Sequence, residues 1–160
     1  MKITAQILDI ALQKKIMITC AESCTGGMVA AALTELPGSS GMIDRGFITY
    51  TNAAKVQMLG VLPATLTAYG AVSPEVAAEM AKGALARSDA TIAVSITGIA
   101  GPGGSEHKPE GRVCFGIASA TGCAVETIEF GALGRDGVRL AARDHALGLV
   151  LRLARDMPVA

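Results

Sequence analysis

The chain has 160 residues, 51% of them hydrophobic but only 3% aromatic, so Ala, Val, Ile, Leu and Gly must fill the interior. That length suits one domain with a buried core and is too short for two, which sets the expectation of a single domain over residues 1–160. Its 14 basic and 14 acidic residues cancel, with no basic patch interleaved with aromatics, which argues against nucleic acid as a partner. No apolar run reaches the ~18–20 residues of a membrane span, so no membrane partner is expected.

The first residues, Met1 to Gln6, carry no signal-like apolar region, and Ile7, Ile10 and Ala11 recur at helical spacing. Residues 4–14 therefore read as an amphipathic helix. Residues 16–20 read as a buried strand, and 25–36 as a helix stopped by Pro37 and Gly38. A second strand runs from Ile43 to Tyr50, followed by a loop and short helix to Leu59 and a further helical piece from Pro63 to Tyr69. Ser73, Pro74 and Glu75 open a helix that runs to about Ala86: Ser as N-cap, Pro first, Glu in the first turn. Thr91 to Ile96 is a third buried strand, and Gly98 to Gly111 a glycine-rich loop. Arg112–Ala120 and Ala124–Phe130 form two strands around Thr121 and Gly122, a hairpin pattern, before a turn at Gly134–Asp136 and a closing helix over Val138–Ala154. Alternating helices and apolar strands predict an α/β fold, a three-layer α/β/α domain with a mainly parallel sheet and a C-terminal antiparallel hairpin.

Ligands of an open parallel sheet bind beyond the carboxyl ends of its strands. Three loops should meet there: Glu22–Gly27, Tyr50–Lys55 and Thr97–Pro109, all rich in Gly, Ser, Thr or charge. The first, within Ala21-Glu22-Ser23-Cys24-Thr25-Gly26-Gly27, is a strand–turn–helix junction that points backbone N–H groups and a helix dipole at one spot. A plain Ser/Thr-capped turn would look the same. Ser23 is a candidate nucleophile that needs a base. Lys55 is the attractive base, because a desolvated Lys has a lowered pKa, and Tyr50 could relay its proton; a solvated Lys and a strand-end aromatic are the plain alternatives. The run from Thr97 through Gly98 and Gly101 to Ser105 could cradle a phosphate or form part of an oxyanion hole. Arg135 and Arg139 flank the last helix start and could clamp phosphate or carboxylate, or serve in surface salt bridges.

Cys20, Cys24, Cys114 and Cys123 match no CxxC or zinc spacing and read as buried thiols in a reducing cytoplasm. Cys24 is set apart, because a helix N-terminus lowers a thiol pKa. No HExxH, DxD or His/Cys cluster suggests a metal.

The segments AESCTGG (21–27), PGSS (37–40), GFITYTNAAK (46–55), LGV (59–61), GAVSPEVAAEMA (70–81), VSITGIAGPGGS (94–105) and KPEGRV (108–113) occur in order. Together they closely resemble the CinA C-terminal domain family, which includes stand-alone nicotinamide-nucleotide amidohydrolases of the PncC type. The resemblance covers nearly the whole chain and leaves out the N-terminal domain of the larger family members. It implies hydrolysis of the carboxamide of nicotinamide mononucleotide (NMN) to nicotinate mononucleotide and ammonia, in pyridine nucleotide salvage, with no metal or organic cofactor. It also implies a cytoplasmic homodimer.

On this reading Ser23 attacks, Lys55 is the base and Tyr50 supports it. Glu22, Thr25, Gly26, Gly27, Thr97, Gly98, Gly101, Arg135 and Arg139 bind substrate, the turn and loop residues largely through N–H donors. The geometric ground is that Ser23 and Lys55 both follow strands at one sheet edge. Ser40, after the intervening helix, is the alternative nucleophile if that helix is short or tilted. Two departures from the family pattern bear on loop closure: GPGGS is one residue short, and Glu110 stands where Val is commoner. A non-catalytic nucleotide-binding or sensor module is the competing expectation.

Overall fold

The computed structural model describes residues 1–159. The elements are α1 (Ile3–Lys14), β1 (Ile18–Glu22), α2 (Met28–Leu33), a 3-10 turn (Ser39–Gly41), β2 (Ile43–Ile48), α3 (Asn52–Leu59), α4 (Pro63–Tyr69), α5 (Pro74–Ala86), β3 (Ile92–Gly98), β4 (Arg112–Ser119), β5 (Gly122–Glu129) and α6 (Arg135–Asp156). The sheet order is β2-β1-β3-β4-β5. β1 runs parallel to both β2 and β3, while β4 is antiparallel to β3 and to β5. The expected α/β fold is present, its sheet a three-stranded parallel core extended by an antiparallel hairpin.

The period-2 pattern of β3 divides the core. Ile92, Val94 and Ile96 face one side with Ile7, Val29, Val138, Ala142 and Val150, from α1, α2 and α6. Ala93 faces the other with Val76, Met80 and Ala84 of α5. That second layer is thin because its sheet residues are small. The Ser95 Oγ donates to the Ala77 carbonyl at 2.6 Å, and a Cβ on Gly116 would fall 2.6 Å from that same oxygen. α5 therefore lies directly on the sheet, and truncating Ile96 to Ala on the thicker side would cost about 2–5 kcal/mol.

Several boundaries differ from the sequence reading, and in three elements the reason is local. β1 runs two residues later, through Glu22, because its pairing with β3 spans Ile18↔Ile92 to Glu22↔Ile96. α2 is trimmed at both ends: Gly27, at φ 112°, forms its N-terminal boundary, and the Thr34 hydroxyl donates to the Ala30 and Ala31 carbonyls as the helix ends. α6 starts at Arg135, directly after Gly134, where a turn was expected. The Ser73 hydroxyl accepts from Val76 N–H as the predicted cap of α5. Thr51 caps α3 in the same way, through Ala54 N–H.

Candidate active site

β1 ends by handing Ser23 to the sheet edge. The Ser23 N–H donates to the Ile96 carbonyl at 3.0 Å, which extends the β1–β3 ladder and fixes the hydroxyl beyond the strands. α3 begins four residues after β2 ends, and Lys55 points back from its first turns into the same place. The Lys55 Nζ lies 2.9 Å from Ser23 Oγ, 2.7 Å from the Thr49 carbonyl and 3.3 Å from the Tyr50 carbonyl. Its side chain is fully buried and forms no ion pair with a carboxylate among the described residues. Burial lowers its pKa to about 8, against smaller opposing pulls from Cys24 and Glu106. A neutral amine here would donate its two N–H bonds to the two carbonyls and turn its lone pair to the Ser23 hydroxyl.

The turn after Ser23 uses its donors differently from the sequence expectation. Glu22 is fully buried and takes no part in lining the cleft. Its Oε1 accepts from Gly27 N–H at 3.1 Å and Val29 N–H at 3.0 Å, and its Oε2 accepts from Ala30 N–H at 2.9 Å. The carboxylate has claimed the start of α2, whose free N–H groups the sequence reading had reserved for a ligand. Gly26 N–H donates to the Ser23 carbonyl at 3.0 Å. The Gly26 and Gly27 amides are therefore spent, which removes both as substrate donors. Cys24 and Thr25 keep N–H groups with no partner in another residue, and the buried Thr25 Oγ1 is also unpartnered among the described residues. The Cys24 thiol, expected to be acidified, is instead pushed up to about 11 by burial.

Around this pair lies a cleft of about 350 Å³ lined by Ser23, Cys24, Tyr50, Asn52, Lys55 and Thr97, by the glycine loop from Gly98 to Glu106, and by Arg135. All three predicted loops contribute. Tyr50 is half exposed and presents its carbonyl, rather than its phenol, to Lys55; its hydroxyl accepts from Arg135 Nη2 at 2.7 Å. Arg135 Nη1 donates to the Gly101 carbonyl at 2.7 Å, so this guanidinium bridges the second and third loops at the rim. Arg139 is separate: its Nε donates to the Cys24 carbonyl at 3.0 Å, tying the Ser23 turn to α6 without lining the cleft. Thr97 donates its hydroxyl to the Ala71 carbonyl at 2.8 Å, and a Cβ on Gly98 would fall 2.7 Å from Val113. Ser40 is exposed on the 3-10 turn, beside the point where Ile18 N–H meets the Met42 carbonyl at the opposite end of the sheet. Although α2 is short, as the Ser40 alternative required, the chain after it still returns to that end, so Ser40 does not reach Lys55.

Four contributors escaped the sequence reading. Thr49 acts through its carbonyl, which no side-chain pattern reveals, and Asn52 lines the cleft from the start of α3. Lys108 Nζ donates to the Tyr69 and Val72 carbonyls at 2.7 and 2.6 Å, anchoring the glycine loop to the α4–α5 junction. Glu110, noted only as a departure from pattern, accepts from Gly103 N–H at 2.7 Å and from Gly134 N–H at 3.1 Å.

A buried Ser–Lys pair at the carboxyl edge of a mixed α/β sheet, beside an open polar cleft, has the parts of a hydrolytic site. The family model of the CinA C-terminal domain matches residues 1–154, and the chain belongs to that family. It is 48% identical to the nicotinamide-nucleotide amidohydrolase PncC of Escherichia coli K12 over 148 residues, 92% of this chain and 90% of that protein. It is 56% identical over 114 residues to a CinA-like protein of Chlorobaculum tepidum, covering 71% of this chain and 27% of that longer protein. The chain thus spans nearly all of the one relative and about a quarter of the other. The crystal structure of the competence/damage inducible protein CihA from Agrobacterium tumefaciens superposes with a TM-score of 0.91 at 47% identity, covering 94% of this chain and 93% of that one.

Proposed function

We propose that this chain is an amidohydrolase that converts NMN to nicotinate mononucleotide and ammonia, with Ser23 as nucleophile and Lys55 as general base. The observation that carries the reading is the 2.9 Å approach of Lys55 Nζ to Ser23 Oγ inside the cleft. The relatives named as nicotinamide-nucleotide amidohydrolases, 48% and 51% identical over 92% and 84% of this chain, supply the substrate.

Ser23 Oγ attacks the carboxamide carbon as neutral Lys55 takes its proton. The oxyanion that forms is held by the Cys24 N–H, directly after the nucleophile in a cleft-lining residue. The Lys55 ammonium returns its proton to the departing nitrogen, so ammonia leaves and an ester remains on Ser23. Water, deprotonated by Lys55, attacks that ester and releases the carboxylate. Arg135, exposed at the rim, binds the 5′-phosphate. Arg139 and Glu22 hold the Ser23 turn and touch no substrate. None of these steps calls on a metal, and no cluster of three or more metal-ligating side chains is found among the described residues.

The unit at work is one domain over residues 1–160. It acts as a cytoplasmic homodimer, a reading supported by four free cysteines and by the exposed apolar side chains of Ile48, Leu133 and Leu140; sedimentation at micromolar concentration tests the dimer. No helix among the described residues is long and apolar enough to cross a membrane.

The test is ammonia release from NMN by the purified chain and by Lys55→Ala. Turnover should be abolished in the variant. In the unmodified chain kcat/KM should rise with pH through about 8, as Lys55 loses its proton. Saturable NMN binding without turnover in the unmodified chain would instead support a nucleotide-sensing module.

A further inference from the structure

The chemistry above leaves one charged group of the cleft unused. Lys55, Arg135 and Glu106 are its charged lining residues, and Glu106 is the only acidic one among the described residues. Glu106 sits at the tip of a two-residue turn closed by Ser105 N–H to the Lys108 carbonyl at 2.9 Å and by Lys108 N–H to the Ser105 carbonyl at 2.8 Å. Both central residues are left-handed, Glu106 at φ 52° and His107 at φ 64°. Tight turns of this kind normally place Asn or Gly there, so Glu and His hold a strained backbone.

The turn is also fixed from below. Lys108 donates to the Tyr69 and Val72 carbonyls and forms no ion pair with Glu106. The Glu106 carboxylate packs over Gly70, where an added Cβ would lie 2.5 Å from its Oε2 and 2.9 Å from Lys108 Nζ, so that ammonium stands nearby while its hydrogen bonds go to the two carbonyls. No side chain donates a hydrogen bond to it among the described residues. Its charge nevertheless reaches the catalytic pair, favouring the protonated form of Lys55.

A carboxylate in no ion pair, held at a cleft by a strained and pinned turn, offers negative charge to a cationic ligand. The pyridinium ring of NMN is such a cation: its charge is fixed on a ring nitrogen, so its recognition must be electrostatic. The same carboxylate repels a phosphate, which leaves the phosphate to Arg135 and so orients the nucleotide. We propose that Glu106 is a specificity-determining residue that selects the cationic pyridinium form of the substrate over nucleotides whose ring is uncharged. This inference rests on the deamidase reading and adds to it a residue that the reaction itself does not require.

Binding separates the two. With Ser23→Ala as background, so that nothing is turned over, calorimetry is run with NMN and with its reduced 1,4-dihydropyridine form. The two share carboxamide, ribose and phosphate and differ in ring charge. Adding Glu106→Gln, which keeps the shape of the side chain, should raise the Kd for NMN about tenfold and leave that for the reduced form within about twofold, as expected for loss of one partly solvated charge pair. An unchanged NMN affinity, no NMN binding to the background variant, or an equal loss for both nucleotides would overturn the proposal. Ammonia release by the unmodified chain is scored separately: its absence would sink the deamidase reading, whereas a charge-selective loss of binding would still uphold the role of Glu106.

Discussion

The β1–α2 turn and the glycine loop both line the cleft, yet they are stabilised in different ways. In the turn, Glu22 is fully buried and satisfies three backbone N–H groups, and Arg139 holds the Cys24 carbonyl from α6. In the glycine loop, the backbone stays near solvent and is tied at a few points by side chains from elsewhere: Glu110 to Gly103 and Gly134, Arg135 to Gly101, Lys108 to Tyr69 and Val72. Buried hydrogen bonds are costly to break, whereas exposed ties cost little. The turn that carries Ser23 is therefore built to stay fixed, and the glycine-rich run ahead of the pinned Ser105–Lys108 turn is held more loosely.

Substitutions should separate the chemistry, the turn and the loop. The largest effect belongs to the pair the turn presents. Lys55→Met should lower kcat for ammonia release by about 10³-fold or more, with circular dichroism unchanged. Next comes the frame of the turn. Glu22→Ala strands three N–H donors in the interior and should cost about 3 kcal/mol, read as a Tm fall of roughly 6–12 °C. A Tm shift under about 2 °C would mean that water replaces the carboxylate and the turn is not rigid in the sense argued.

In the loop the expected effect is smaller and of another kind. Glu110→Ala should raise KM for NMN about fivefold while kcat stays within about twofold and Tm barely moves. An equal drop in kcat would show that the loop positions the reacting atoms as well as the ligand.

The smallest effect is a slope in stability. Lys55 has a folded pKa of about 8, below its value in an unfolded chain. Between the two the unfolded state binds more protons, so this group makes stability rise with pH from about 8 upward and contributes least below it. Lys55→Met should flatten that part of the curve in chemical denaturation measured across the alkaline range.

Much of this arrangement was legible in the sequence, and the exceptions share a cause. Apolar runs and capping residues located every strand and helix to within a few positions. The rule that ligands gather beyond parallel strand ends is enough to bring Ser23, Lys55 and the glycine loop together. Glu22 was misread because a carboxylate in a polar turn looks the same whether it faces a ligand or its own helix; only the trimmed start of α2 tells them apart. Gly26, Gly27 and Arg139 were misassigned for the same reason, their polar groups being spent on the turn itself. The Tyr50 phenol was misplaced because the strand-end backbone, rather than the side chain, reaches Lys55. Thr49 works through a backbone carbonyl, which leaves no trace in residue type. Ser40 depended on the length of α2, and boundaries are what periodicity reads least well.

The central claim is that Ser23, rather than its neighbour Cys24, attacks the amide. Both line the cleft, and burial pushes the Cys24 thiol up to about 11, which keeps it protonated at neutral pH. Ammonia release from NMN should be measured for Ser23→Ala and Cys24→Ala beside the unmodified chain. The account predicts a loss of about 10³-fold or more in Ser23→Ala and a change within about threefold in Cys24→Ala. Persistent activity in Ser23→Ala, with loss in Cys24→Ala, would contradict it.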